Sequence, residues 1–151
     1  MTILKSQQVS VRLVATRLAP QPAVIDLLDG NRFVLSLVDP NTGAPVLTVI
    51  DSPVAGLRVR GRMASLSVTA NGVSAMIEFS SGSRTAMMFG GIGVIVGMQL
   101  AATSGIGEWV AALRAGGADV RFMSWQRTLQ ISIALVVVLV AVCVAVAVNS
   151  R

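Results

Sequence analysis

The sequence predicts an α+β chain: a mostly antiparallel β partial barrel, closed by one amphipathic helix and followed by a single transmembrane helix. Three observations predict it. From Val9 to Phe89, apolar and polar residues alternate with a period near two, interrupted by turn sequences. Ile106, Trp109, Val110 and Leu113 then recur at i, i+3, i+4 and i+7, the spacing of one helical face. Finally, no residue from Thr128 to Asn149 is charged.

The strands follow from the alternation and its breaks. Val9, Val11 and Leu13 alternate with Ser10 and Arg12. Ala23–Leu28 and Arg32–Val38 flank Asp29-Gly30, a hairpin signal, and the turn sequence from Asp39 to Gly43 separates Phe33–Val38 from Val46–Ile50. Leu57, Val59 and Met63 oppose Arg58, Arg60 and Arg62 across one strand. Ala64–Ala70 and Val73–Phe79 flank Asn71-Gly72, a pair suited to a type I′ turn because both of its central residues need positive φ. Ser80–Ser83 marks another turn before Arg84–Phe89, where Met87, Met88 and Phe89 read as core. Residues 86–104 read as a buried strand with glycines at a bend or bulge; the alternative is a second membrane span, since no residue between Arg84 and Glu108 is charged. Ser104 is expected to cap the amphipathic helix, and Gly116-Gly117 to end it.

The uncharged segment from Leu129 to Val148 is about 30 Å long as a helix, at about 1.5 Å per residue, which matches a hydrocarbon core. Arg114, Arg121 and Arg127 precede it and only Arg151 follows, so the N-terminal side is expected to be cytoplasmic. Trp125 and Arg127 stand at the expected membrane interface, and Ala141 and Ala145 form a small-xxx-small pair that permits helix packing. The expected organisation is a β-rich cytoplasmic domain over residues 1–117, a juxtamembrane linker over 118–127 and a transmembrane helix over 128–149. Expected localisation is the cell membrane, single-pass and tail-anchored.

The stretch from Met98 to Gly117, MQLAATSGIGEWVAALRAGG, resembles the last strand and C-terminal helix of pleckstrin-homology domains. In that family a strand leads into a helix carrying a Trp, with a Leu four residues later; here these are Trp109 and Leu113. The resemblance extends over residues 8–117, and its specific part is about twenty residues. It implies a seven-stranded partial barrel, with Gly93–Thr103 as the closing strand and Trp109 packed into the open end as a structural anchor. Members that bind phosphoinositides use basic residues around the first hairpin loop. This chain departs from that pattern: the stretch from Leu18 to Ala23 is neutral, and Asp26 and Asp29 follow.

Charge and composition narrow the function. The formal charge of +5 is carried by eleven Arg and Lys5. There is no His, the commonest general base and metal ligand, and the single cysteine, Cys143, precludes an intrachain disulfide. No phosphate-loop or RNA-binding signature occurs. The expectation is therefore a non-enzyme with no cofactor, no metal, no nucleic-acid partner and no small-molecule substrate. Arg58, Arg60, Arg62 and Arg121 are the candidate contacts for an anionic surface. The expected partners are the lipid bilayer and other membrane proteins. In that setting the chain is expected to act as an accessory or scaffold subunit of a membrane complex, or alternatively as a peripheral module binding anionic lipid.

Overall fold

The computed structural model describes residues 2–14, 19–62, 64–80, 92–123 and 125–149. Seven strands come first: β1 (Ile3–Leu13), β2 (Gln21–Leu28), β3 (Arg32–Val38), β4 (Pro45–Pro53), β5 (Arg58–Arg62), β6 (Ser65–Ala70) and β7 (Val73–Glu78). Two helices follow, α1 (Ile92–Ala102) and α2 (Ile106–Ala115), then β8 (Asp119–Met123) and a final helix α3 (Trp125–Asn149). The strands form one sheet in the order β4-β3-β2-β1-β7-β6-β5-β8. Every pair is antiparallel except β5 with β8, which is parallel.

Local chemistry explains the hairpins. Asn71 and Gly72 have φ of 50° and 79°, the two positive values a type I′ turn demands, and they register Ala70 opposite Val73. At the Asp39 turn, the carboxylate accepts the backbone N–H groups of Asn41 at 2.7 Å and Thr42 at 3.0 Å. A bidentate pair from Arg32 to Asp51, 2.5 and 2.6 Å, ties β3 to β4.

Alternate residues of the strands build the core on one face of the sheet. Val9, Val11, Ile25, Phe33, Leu35, Ile50, Val59, Leu66, Val68 and Ile77 are buried there. Helix α2 covers this face with Ile106, Trp109, Val110 and Leu113. Trp109 has no exposed surface and meets Phe33 edge-on, with centroids 6.4 Å apart. Its Nε1 donates to Gln7 Oε1 at 2.6 Å, and Gln7 Nε2 donates in turn to the Ser104 carbonyl at 2.8 Å. Lys5 lies 5.5 Å from the indole centroid and pairs with Glu108 at 2.6 Å. The N-cap of α2 is Gly105 at φ 75°, with no side-chain cap bond, in place of the expected Ser104 cap. The helix ends in a Schellman arrangement: Gly117, at φ 90°, donates to the Arg114 carbonyl and Ala118 to the Leu113 carbonyl.

The structure corrects the expected fold class at three points. The sheet is mixed and eight-stranded, because residues 119–123, assigned to the linker over 118–127, add to it as β8. Residues 92–102 are helix α1 rather than the closing strand that the pleckstrin-homology resemblance implies; the apolar residues between those glycines sustain a helix. The remainder of that segment, 86–91, with Met87, Met88 and Phe89, lies outside the described residues. Third, among the described residues no helix is long and apolar enough to cross a membrane. That finding overturns the transmembrane, tail-anchored and single-pass assignments, and with them the placement at the cell membrane with a cytoplasmic domain.

The Gln7 bridge generates a stability prediction. Gln7→Ala leaves the buried indole N–H without its acceptor, so urea unfolding should show a loss of about 1–3 kcal/mol. A change under about 0.5 kcal/mol would show that the bridge contributes little.

Candidate anion-binding face on β5 and β8

The face of the sheet opposite α2 gathers most of the chain's described strand arginines. Residues in register on neighbouring strands point to the same side. The unbroken parallel register sets Arg58 beside Asp119 and Arg60 beside Arg121, with Arg62 beside Met123. On the other flank of β5 the partners are hydroxyl residues: Thr69 beside Arg58, Ser67 beside Arg60 and Ser65 beside Arg62. Continuing the Arg60 row across β6 and β7 leads from Ser67 to Met76 and then to Arg12 on β1. Four guanidinium-bearing residues, Arg12, Arg58, Arg60 and Arg121, thus share one side, and neighbouring strands lie about 4.8 Å apart. The Arg62 side chain lies outside the described residues.

The four arginines do different work. Arg60 is half-buried and holds β8 in place: its Nη1 donates to the Asp119 carbonyl at 3.1 Å and to the Val59 carbonyl at 3.1 Å, and its Nη2 reaches Asp119 Oδ2 at 2.8 Å. Arg12, Arg58 and Arg121 are exposed, and none of them forms a salt bridge among the described residues. The carboxyl of Asp119 is held below its ordinary range, first by the hydrogen bond from Arg60. Desolvation pushes the other way, and attraction to Arg60, Arg121 and Arg58 lowers it further. Asp119 therefore neutralises Arg60, leaving Arg58 and Arg121 on β5 and β8, with Arg12 on β1, as the charges offered outward. Thr69 and Ser74 hydroxyls, 2.8 Å apart, add a neutral polar strip alongside.

Guanidinium groups only donate hydrogen bonds, in a planar fork that matches carboxylate or phosphate oxygens. A face of this make-up can hold an oxyanion surface. Among the described residues it offers no aromatic platform on which a base would stack.

The other residues singled out from the sequence lie elsewhere. Trp109 and Leu113 project from α2 and are buried on the core side of the sheet. Arg127 is exposed in the first turn of α3, and the Trp125 side chain lies outside the described residues. Ala141 and Ala145 are exposed on α3. Two members of the face, Arg12 and Asp119, were not among the candidate contact residues read from the sequence. The alternation around Arg12 does mark it as outward, but its row-mate Arg60 lies 48 positions away and no local pattern links them.

No family model, curated protein or solved structure matches this chain, and no comparison identifies a pleckstrin-homology domain.

The shifted Asp119 carboxyl gives a pH prediction. Its pKa is lower in the folded chain, so its contribution is fully present above the ordinary value of 3.8 and is lost as pH falls through the folded value. Asp119→Asn removes that contribution. The decline in the urea midpoint between about pH 5 and pH 2 should be shallower in the variant than in the parent. Parallel acid limbs in the two proteins would show the Arg60 pair to be energetically silent.

Proposed function

We propose that this protein is a non-catalytic interaction module that docks an acidic protein surface on the outer face of β5 and β8. The observation that carries the reading is the register of Arg60 with Arg121 beside Arg58, in which one carboxylate, Asp119, is committed to Arg60 and two exposed guanidiniums remain. Hydroxyl residues on β6 border them, so an approaching carboxylate meets donors on both sides of β5. In this reading the chain serves as an accessory or scaffold subunit. Trp109 and Leu113 are its structural pins, and the basic face is its contact.

Each exposed ion pair contributes roughly 0.2–1 kcal/mol and weakens with salt. Binding of sodium polyglutamate should therefore be measurable at low ionic strength and fade toward physiological salt. Arg58→Glu with Arg121→Glu replaces two attractions by two repulsions, and about a tenfold loss of affinity is expected. Both side chains are exposed, so the melting temperature should hold. Unchanged polyglutamate binding in the double variant refutes the assignment. Binding to phosphatidylserine vesicles without binding to the polymer would replace the acidic-protein reading by an anionic-lipid one.

A further inference from the structure

The two edges of the sheet are built differently. β4 ends one side, with Pro45 at its start, Pro53 at its end and two register shifts along its pairing with β3. Prolines and irregular pairing are the usual means of blunting an edge against added strands. β8 ends the other side. It has no proline, its register with β5 is continuous over all five residues, and among the described residues no strand pairs with its outer edge.

The phase of β8 fixes which main-chain groups face outward. The Asp119 N–H donates to the Leu57 carbonyl at 3.0 Å, so Asp119 faces β5. Main-chain groups alternate sides along a strand, so Arg121 and Met123 face β5 as well. The N–H and C=O of Val120 and Phe122 therefore point away from the sheet. The side chains of the same two residues are half-buried and pack against the core cluster, which gives the edge an apolar inner side. On its outer side stand Arg121 and, one strand in, Arg58.

We infer that β8 is a docking edge, and that its occupant is an extended segment of an acidic partner protein that adds to the sheet as a ninth strand. The inference rests on the interaction-module reading and names how that module grips. Two main-chain pairs on Val120 and Phe122 give the strand its hydrogen bonds. Carboxylates at alternate positions of the partner lie on the side of Arg121, and apolar residues between them extend the core side past Phe122. A second copy of this chain fits poorly. Antiparallel pairing of two β8 strands about their centre sets Arg121 directly against Arg121, and like charges opposite one another are destabilising.

The test uses the full chain and a synthetic peptide of alternating valine and glutamate, eight residues long with blocked ends. Amide exchange of the protein is followed by NMR. At a peptide concentration that fills nine sites in ten, exchange at Val120 and Phe122 should slow about tenfold, while Arg121, already bonded to β5, changes little. Val120→Pro removes an outward N–H from a strand position that tolerates proline at an edge, so peptide binding should fall while β5 amides stay protected. If the peptide binds and loses affinity on Arg58→Glu/Arg121→Glu, yet Val120 and Phe122 exchange at their free rates, the edge inference is overturned and the basic-face reading stands. Polyglutamate binding without peptide binding has the same meaning. Failure of both probes to bind overturns both.

Discussion

The fold hangs on the burial of one indole. Trp109 packs on the core side of the sheet against Phe33, and its single polar atom is satisfied by Gln7 of β1. That bond does more than satisfy a donor. Gln7 also holds the Ser104 carbonyl, the last residue before the Gly105 cap, so one side chain fixes both the entry of α2 and its rotation over the core. A fully buried Trp carries a large apolar area, worth several kcal/mol by its removal from water, and an unpaired indole N–H would cancel much of it. The helix therefore has one favourable seat.

The position of the basic face follows from that seat. α2 ends in its glycine cap against Val54 and Ala55, and the chain leaves it as Ala118, whose N–H returns to Leu113. The next residue, Asp119, bonds Leu57 and starts β8 alongside β5. Parallel pairs need a long crossover, and here the crossover passes through α1 and α2. Arg60 completes the join by reaching across to the carbonyl and carboxylate of Asp119. Had α2 rotated or ended a residue later, a one-residue slip in β8 would turn Arg121 into the core and Phe122 outward. The charge pattern on the outer face is thus a consequence of packing on the inner one.

The hairpins were legible because their causes are local. Asn71-Gly72 carries its own turn geometry, and the alternation on both sides tells which residues turn inward, with Leu66, Val68, Ala75 and Ile77 all buried. The helical face through Trp109 was legible for the same reason. β8 was not: Asp119–Met123 is five residues long, and its partner lies about 60 positions back with no turn to announce it. In α1, the glycines at 93 and 97 argued for a bent strand on propensity alone, and a propensity of about 1 kcal/mol per glycine is easily outweighed by the context of the fold. The uncharged run after Thr128 fixed α3 as a helix, and the single-pass assignment built on that run is the one the described residues overturn. Of the face, the β5 stripe was readable as a period-two pattern, whereas its meeting with Arg121 depended on a strand pairing that no local pattern encodes.

Arginine on β5 and β8 also resolves a conflict between stability and contact. A basic stripe with no counter-charge would repel itself along the sheet and weaken the parallel join, the less stable kind of pairing. One carboxylate placed at the start of β8 relieves this, because Asp119 neighbours Arg58 in register and bonds Arg60 diagonally. The pair is exposed, so it adds little energy in water, but its geometry is constrained by three hydrogen bonds from one guanidinium. Its main effect is directional: Arg60 is turned along the sheet toward β8, leaving the exposed Arg58 and Arg121 flanking it. An acidic partner then meets two charges carried on paired strands, so little backbone freedom remains to be lost when it arrives.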